Sequence, residues 1–523
     1  MERRVRSIVT DMERRVRSMV TDMERRVRSM VTDMERRVRS MVTDMERRVR
    51  SIVTDMERRV RSMVTDMERR VRSMATEEKL PITRSLLAAI CIGTSAFAAD
   101  TPSVTFNRDV LPILQKNCQT CHRPGEIAPM PFLTYRDARP YAKAIKAAVL
   151  THKMPPWFAD PAYGHWANAP KLTAGDIQTL AAWADNGAAE GDAKPAPVDW
   201  PQGWSIKPDL IVKMPKPFHV PAKGAIEITS FTLPTGLTKD TWITSIEVRP
   251  GNRRVVHHVA VSFRPHDASV KYGEPRAQVE LRDENGDQIG RVRKLGLGNF
   301  TGLEAVFLPG SSPLDFRVHN AAKLIPAGYD IVLQMHYASI GEDAEDQTEV
   351  GFTVAKEEPA RRFVTLSPAA ARDERTFRIP AGDPNWEIST EVEFNQDAEI
   401  VWFLPHMHLR GKDMTYQLEF PTGEKQVVLS VPRYDFNWQM GYEVEKPIKV
   451  PKGTRLLATA HYDKSANNKF NPNPNKDVWW GDQTWEEMMV AWFGVIVDKS
   501  SDPRKVVTYT PKHSGAAWRG ESR

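Results

Sequence analysis

A cysteine pair followed directly by a histidine is the first group of residues whose spacing could support chemistry. The run Cys118-Gln119-Thr120-Cys121-His122 has the C-x-x-C-H pattern in which two thiols bond a haem covalently and the histidine ligates its iron. A thioredoxin-like redox pair or a structural disulfide uses the same cysteine spacing, but neither explains the histidine. The sequence therefore predicts one covalently bound c-type haem, attached through Cys118 and Cys121 and ligated by His122.

A sixth iron ligand is expected downstream of this motif. Met154 lies in the run His-Lys-Met-Pro-Pro-Trp, where a thioether would raise the reduction potential and the prolines would stiffen the loop. Met130 is the competing thioether, and His152 or His165 would make a lower-potential site with two histidines. We predict Met154.

A second group of chemically capable residues lies on segments that alternate like strands. His257 and His258 are adjacent, and neighbouring side chains on a regular strand point to opposite faces, so both reach one metal only at a bulge or a strand end. A core histidine beside an exposed one is the structural alternative. His336 follows on a later strand, and Gln334 shares its face.

Further along, His406 and His408 are separated by one residue, which places both imidazoles on one side of a strand as a bidentate chelate. The segment 485–489 adds thioethers, soft ligands that favour Cu(I), with Met488 as the predicted ligand. Each pattern alone is weak, but together they predict metal binding by the β-rich part of the chain.

The elements expected to position these residues change type along the chain. Residues 100–192 have helical patterns; Thr173 and Asp176 form a capping box that opens a helix ending at 186–187. A proline-rich linker follows at 193–204. Beyond it, short alternating strands separated by turns predict a β-sandwich pattern, as in the segments Trp242–Val248, Val255–Phe263, Asp330–Tyr337 and Ile400–Leu404. The length of this part predicts two antiparallel sandwiches, 205–365 and 366–523.

The first 99 residues are expected not to belong to the mature protein. Residues 1–74 are near-identical copies of an eleven-residue unit, MERRVRSMVTD, that decays in its last copy. Such drift-free copies are typical of a recent tandem duplication. Residues 75–99 have the charged region, short apolar region and A-x-A site of a secretory signal, which makes Met67 or Met74 the expected initiator. We therefore predict an exported, periplasmic or secreted protein without an integral membrane span after signal removal.

The net charge of +6 does not indicate a nucleic-acid partner. Each repeat carries three arginines against one glutamate and one aspartate, and the signal region is also basic, so residues 100–523 are slightly acidic overall. A basic pI that comes from segments expected to be lost is no argument for binding nucleic acid or an acidic membrane.

In chain order, the His-His pair, the Gln-x-His-Tyr strand, the His-x-His-x-x-Gly-Lys run and the Glu-Glu-Met segment resemble the copper type II, ascorbate-dependent monooxygenases. This is the family of peptidylglycine alpha-hydroxylating monooxygenase and dopamine beta-monooxygenase. The resemblance covers about residues 205–500 and implies two jelly-roll-like halves. The haem segment, in addition, is similar to the cytochrome domain fused to such modules in bacteria.

The resemblance implies two copper ions with different roles. His257, His258 and His336 would bind an electron-storing copper, with Gln334 beside it. His406, His408 and Met488 would bind the copper that activates O₂. Two departures from the animal pattern are the absence of cysteine from this module and Val259 after the histidine pair.

The implied activity is hydroxylation of a substrate C–H bond, with electrons passing from the haem to the two coppers. O₂, an unidentified organic substrate and a periplasmic electron donor would be the partners, and ascorbate or another external reductant is a further source of electrons. A non-catalytic electron-transfer or copper-carrying protein is the alternative, and a complete second site favours the enzyme. Five histidines have no motif partner and are expected to be surface or core residues, namely His219, His266, His319, His461 and His513.

Overall fold

The computed structural model describes residues 104–193, 198, 200, 203–224, 226–277, 279–282, 288–292, 303–310, 312–368 and 377–510. The predicted repeats and signal, and part of the linker, lie outside these residues. All of the described residues belong to one compact unit, Pro102–Arg523.

Helices occupy the beginning of the described chain. A π-helical turn at Phe106–Val110 leads into the first of four helices, which are α1 Leu111–Asn117, α2 Tyr135–Ala138, α3 Ala142–Leu150 and α4 Ala174–Asp185. The predicted capping box is confirmed, because the Thr173 hydroxyl accepts from the Asp176 N–H and the Asp176 carboxylate accepts from the Thr173 N–H. A small apolar core that includes Phe106 and Trp183 joins these helices.

The rest of the described chain is built mainly of strands, which confirms the β-rich prediction. The strands up to residue 366 are β1 Leu210–Lys213, β2 Phe218–Val220, β3 Thr229–Pro234, β4 Thr241–Arg249, β5 Val256–Pro265, β6 Arg276–Ala277, β7 Val279–Arg282, β8 Gln288–Val292, β9 Ala305–Phe307, β10 Leu314–Asp315, β11 Ala321–Ile325, β12 Tyr329–Tyr337, β13 Ala344–Asp346, β14 Glu349–Val354 and β15 Arg361–Leu366. The later strands are β16 Arg378–Ile379, β17 Trp386–Phe394, β18 Ala398–His406, β19 Gly411–Glu419, β20 Lys425–Val431, β21 Tyr442–Val450, β22 Arg455–Tyr462, β23 Val478–Trp479, β24 Val490–Asp498 and β25 Val507–Thr510.

Three larger sheets hold most of these strands. One sheet of nine strands has the order β1-β14-β4-β11-β15-β24-β18-β21, with β10 on β4. A five-stranded sheet, β6-β3-β12-β5-β9, belongs to the earlier half, and another, β20-β19-β22-β17-β25, to the later half. Because β15 pairs with β11 on one side and β24 on the other, the nine-stranded sheet runs through both predicted halves.

Two apolar cores match the two predicted halves only in part. One is formed almost wholly by residues after 363. The other is formed by residues 212–363 together with side chains from β18 and from 488–496, among them Leu404, Met488 and Trp492. Side chains of the later half therefore complete the core of the earlier half, and the predicted site residues lie where these elements meet.

Candidate metal centre

The adjacent histidines lie at a β-bulge. On β12 the partner of His336 is His258, whereas the partner of the next residue, Tyr337, is Val256. His257 is therefore the extra residue of the bulge, and the irregularity turns it to the side of its neighbour. The Nδ1 atoms of His257 and His258 are 2.9 Å apart, so both side chains reach one point, as a shared metal would require.

The third histidine of this group lies directly opposite on the neighbouring strand. Because His336 and His258 are cross-strand partners, their rings share one face, with centroids 3.6 Å apart. Gln334, two residues earlier on β12, is buried and shares that face by alternation.

The His-x-His pair comes from the later half of the chain. His406 ends β18, His408 follows the strand, and their ring centroids are 5.2 Å apart. The ring of His406 is also 6.3 Å from that of His258. The five histidines (His257, His258, His336, His406 and His408) therefore form one continuous group, here called the five-histidine cluster.

The two methionines just before β24 lie in different cores. His406 pairs with Val490, so the residues just before Val490 run beside the residues just after His406. Met488 packs in the core that contains Val490 and Leu404, whereas Met489 packs in the other core with Met407. Neighbouring residues thus point to opposite sides, and Met488 lies on the side of Val490, the strand partner of His406.

Burial keeps four imidazoles of the cluster, those of His257, His258, His336 and His406, neutral. Desolvation lowers the pKa of His257 and of His406 to about 4, against the opposing effects of the Asp435 charge on His257 and of the Gln439 hydrogen bond on His406. Desolvation and the neighbouring imidazoles hold the pKa of His258 and of His336 well below the ordinary value of 6.5. Because a metal binds the neutral ring, the cluster is in its ligand-competent state at neutral pH.

The donor chemistry fits copper. The Nε2 atom of His257 is buried and has no hydrogen-bond partner, and the close Nδ1 atoms of His257 and His258 share either a proton or a metal ion. Buried neutral imidazoles with a thioether nearby are the donors that Cu(I) and Cu(II) prefer. Across the described residues, no group of three His, Cys, Asp or Glu side chains is arranged to hold a metal ion. A three-histidine site therefore requires side-chain rearrangement within the cluster.

The lowered pKa values predict that the copper-free protein loses stability in acid. Each histidine with a folded-state pKa near 4 and an unfolded value near 6.5 contributes stability that is present above pH 6.5 and is lost as pH falls toward 4. For His257 and His406 this loss is on the order of 3 kcal/mol each. Burial raises the pKa of Glu487 to about 7 and also raises that of Glu443; these shifts act in the opposite direction, but four histidines of the cluster are shifted downward.

We therefore expect the urea concentration at the unfolding midpoint of copper-free protein to decrease as the pH is lowered from 6.5 to 4. Urea titration followed by tryptophan fluorescence measures it. His219→Asn, which alters an exposed imidazole, should leave that pH profile unchanged. A profile that is flat across this range in the wild type would show that the cluster is not buried as described.

The C-x-x-C-H motif forms a helical turn at the end of α1. Cys118 caps the helix, and the backbone N–H groups of Cys121 and His122 both donate to the Cys118 carbonyl. The His122 ring stacks on Phe132 at 4.2 Å, and its Nδ1 lies 3.0 Å from the Met130 carbonyl oxygen. Since a carbonyl only accepts, Nδ1 carries the proton and Nε2 offers its lone pair, which is the state that a haem iron requires.

The two thiols do not resemble a thioredoxin-like redox pair. Both Cys118 and Cys121 are free, and burial raises the pKa of each, to about 12 for Cys118. A catalytic thiol of the thioredoxin type needs a lowered pKa. The motif therefore fits covalent attachment better than disulfide exchange, and the described residues contain no disulfide.

The candidates for the sixth iron ligand occupy different surroundings. The Met130 side chain packs against the helical core, and its carbonyl already holds His122. Met154 follows α3, is half-buried and is absent from that core. His165 is exposed, and its carbonyl accepts from Glu445 on β21, which places it against the later half. Met154 stays the predicted ligand.

Denatured protein should retain its haem, because two thioether bonds are covalent. Haem staining after acid–acetone extraction and gel electrophoresis measures this, and Cys118→Ala with Cys121→Ala should abolish the stain. Met154→Ala should remove the sulfur-to-iron absorption band, while Met130→Ala should keep it. If the band persisted in Met154→Ala and was lost in Met130→Ala, the sixth ligand would be Met130.

Three residues near the cluster were assigned no role from the sequence: Gln439 and Phe436 lie in no motif, and Glu487 lies in the Glu-Glu-Met segment, where only Met488 was predicted as a ligand. Gln439 hydrogen-bonds to His406 through Oε1 at 2.6 Å from Nδ1. Phe436 stacks on His257 with centroids 5.1 Å apart and meets His408 edge-on at 6.1 Å. The buried Glu487 carboxylate accepts from the backbone N–H of His408. Around Gln439, the sequence offers only Asp435, whose side chain caps the turn before Gln439. An aspartate in this position predicts a turn and gives no indication of a metal site.

The histidines without motif partners lie away from the cluster where the structure describes them. His461 lies between the carboxylates of Asp413 and Glu387, with its Nδ1 2.6 Å from Asp413. His266 contacts Asp330 and the Tyr272 hydroxyl. These local polar contacts agree with a structural assignment for the two residues; His513 lies outside the described residues.

Comparisons with known proteins add no family to this geometry. No family model and no curated protein matches the chain. Among solved structures, the infectious bursal disease virus Gx strain is 10% identical over 60% of this chain and 78% of that chain, with a TM-score of 0.17. A mutant VP2 protein of infectious bursal disease virus is 12% identical over 61% and 77%, also with a TM-score of 0.17. Likenesses this low carry no argument about function, and the resemblance to copper monooxygenases stays a prediction.

Within the described part of the chain, no helix combines the length and the apolar character needed to cross a membrane.

Proposed function

We propose that the chain is an exported haem- and copper-dependent monooxygenase that hydroxylates a substrate C–H bond. The observation that carries the proposal is the five-histidine cluster: five clustered imidazoles from both halves, four of them held neutral by burial, with Met488 in the core that contains Val490, the strand partner of His406. An apolar β core has no structural need for five adjacent histidines, whose burial costs stability. A metal-binding role accounts for them.

The residues divide into two sets of ligands. His257, His258 and His336 would hold one copper, and His406, His408 and Met488 the other, with Gln334 beside the first set. Bound copper would supply the one-electron chemistry by which O₂ is reduced. In the overall reaction one oxygen atom enters the substrate and the other leaves as water. Two electrons come from a periplasmic donor through the haem, or from ascorbate or another external reductant, and two protons are taken up.

The protein's own groups prepare these ligands. The Glu486 carbonyl lies 3.2 Å from His408 Nδ1, so that nitrogen carries the proton and Nε2 offers its lone pair. His406 and His408 are almost fully buried, which excludes water from their side of the site. We infer that the jelly-roll-like arrangement of the two halves serves to bring these donors together.

Contacts between the haem motif and the β part support electron transfer within one chain. The Glu126 carboxylate pairs with the Arg253 guanidinium, and Arg253 precedes His257 by four residues. Gly310 approaches the motif so closely that a Cβ there would lie 3.3 Å from the Cys121 sulfur. The segment proposed to carry the haem thus contacts the loop that leads into β5, the strand that bears the first histidine pair, and the turn after β9.

Metal and haem stoichiometry tests the proposal most directly. Protein expressed from Met67 with cytochrome maturation intact should hold two coppers and one haem per chain. His257→Ala should lose one copper and keep the other, because the two sets share no ligand. A wild type that binds one copper, or none, would favour the electron-transfer or copper-carrying alternative. Substrate-free O₂ consumption driven by a reductant provides the first measurement of activity.

A further inference from the structure

The loop between β20 and β21 contacts both histidine sets. This loop, residues 435–439, is here called the bridging loop. The Asp435 side chain accepts from the Asn437 N–H and opens a short helical turn at Phe436–Trp438, as aspartate does at the start of helical turns. Phe436 then stacks on His257 and touches His408 edge-on, while Gln439 reaches His406.

The orientation of the Gln439 amide follows from its second contact. One amide atom lies 3.3 Å from the backbone carbonyl oxygen of Phe436. A carbonyl only accepts, so that amide atom is the NH₂ group, and the atom 2.6 Å from His406 Nδ1 is the oxygen. Both Gln439 and His406 are 5% exposed, so water does not replace either partner.

The amide orientation in turn decides the state of the imidazole. Because Gln439 Oε1 also only accepts, His406 Nδ1 must donate and carry the ring proton. A neutral imidazole has one N–H, so Nε2 is left with its lone pair. The chain of hydrogen bonds therefore runs from the Phe436 carbonyl through the Gln439 amide to His406 and ends at a nitrogen able to ligate a metal.

We propose that Gln439 is a positioning residue that sets the tautomer and ring orientation of His406, and that the bridging loop holds it in place through Phe436. This inference rests on the proposed function, since it names what prepares one ligand of the second copper. Gln439 is not a ligand. It acts through His406, as outer groups do when they orient the histidines of a metal site.

The matched substitutions are Gln439→Leu, Gln439→Asn and Gln439→Glu. Leucine keeps the volume and removes the acceptor. Asparagine changes the volume little, but its side chain is one methylene shorter. Its amide oxygen therefore cannot reach His406 Nδ1, which lies 2.6 Å from Gln439 Oε1 in the wild type. Glutamate keeps an oxygen acceptor at the same distance. Gln347→Leu is the control, because the Gln347 amide also donates to a backbone carbonyl, that of Met214, and contacts no histidine.

The first measurement needs no metal. In full-length, copper-free protein labelled with ¹⁵N-histidine, the His406 signals at pH 8 should show Nδ1 protonated in the wild type, in Gln439→Glu and in Gln347→Leu. In Gln439→Leu and Gln439→Asn the Nε2-protonated tautomer should appear. If His406 Nδ1 stays protonated in both of these variants, or in Asn alone where Leu fails to fold, the inference is overturned.

The second measurement is copper affinity. Removal of an outer partner of a metal-bound histidine weakens metal binding by about 10–100-fold, so Gln439→Leu and Gln439→Asn should lose affinity at one of the two coppers by that factor. The electron paramagnetic resonance signal of the other copper should be unchanged. A wild type that shows the predicted tautomer but binds no copper would refute the proposed function and leave the role of Gln439 in orienting His406 intact.

Discussion

Met488→Leu is expected to abolish turnover while the protein stays folded. The exchange of Met for Leu conserves volume and usually changes stability by less than about 1.5 kcal/mol, so a large loss of activity would come from the thioether. As a proposed direct ligand, Met488 should matter at least as much as an outer residue, and reductant-driven O₂ consumption should fall by at least about 100-fold. Haem oxidation followed in stopped flow separates this loss from a failure of electron supply to the first copper.

The adjacent methionine supplies a control that the structure justifies. Met489 is fully buried in the other core, which also contains Met407, and so points to the opposite side from Met488. Met489→Leu should therefore consume O₂ like the wild type. Loss of activity in Met489→Leu with normal activity in Met488→Leu would show that Met489, and not Met488, is the thioether ligand. Normal activity in both variants would favour the non-catalytic electron-transfer alternative.

Histidine at the same position distinguishes binding from activation. Met488→His should keep copper bound, because imidazole is also a good ligand, but it should favour Cu(II) and slow the reduction of O₂. The same change at Met489 is a poor control, because it would bury an imidazole in an apolar core and destabilise the fold. Copper content measured beside O₂ consumption decides the outcome: bound copper with wild-type turnover would contradict the proposal.

Local patterns predicted the elements that carry the site. The capping box at Thr173 and the strands that carry His258 and His406 are present, because each depends on residues close together in sequence; His408, expected on the same strand as His406, lies just after it. The sequence left open a bulge or a strand end as the way for His257 and His258 to share a metal, since a regular strand would separate them, and the structure has the bulge. The alternation of Met488 and Met489 between two cores follows from the same rule.

Long-range arrangement could not be predicted from the sequence. The domain boundary predicted at 365–366 falls at the end of β15, but that strand lies inside a sheet that continues on both sides. The short distance between His258 and His406 depends on this packing of one half on the other. Gln439 has no motif either, since a glutamine after a turn is common and its role depends on which histidine it meets.

The largest stability effect is expected at the buried pair of Glu487 and Arg410. Their side chains are 0% and 3% exposed. The Glu487 carboxylate accepts from the backbone N–H of His408 at 2.9 Å and of Arg410 at 2.7 Å, and the Arg410 guanidinium also donates to the Trp485 carbonyl at 3.0 Å and to Asn471 at 2.9 Å. These contacts tie the turn after His406 to the segment that carries Met488.

Glu487→Ala should lower the free energy of unfolding by about 3–5 kcal/mol, because it leaves a buried guanidinium without its counter-charge. Burial raises the pKa of Glu487 to about 7, so urea unfolding is measured at pH 8, where the carboxylate is ionised.

Arg410→Met should also destabilise the protein. Combining Arg410→Met with Glu487→Leu should cost clearly less than the sum of the two single changes, since no unpaired charge then remains. Glu487→Ala and the double variant should loosen His408, whose backbone N–H loses its carboxylate acceptor, and so weaken one copper and spare the other. If the single variants were as stable as the wild type, or if both coppers weakened together, Glu487 would not be what links the His408 turn to the Met488 segment.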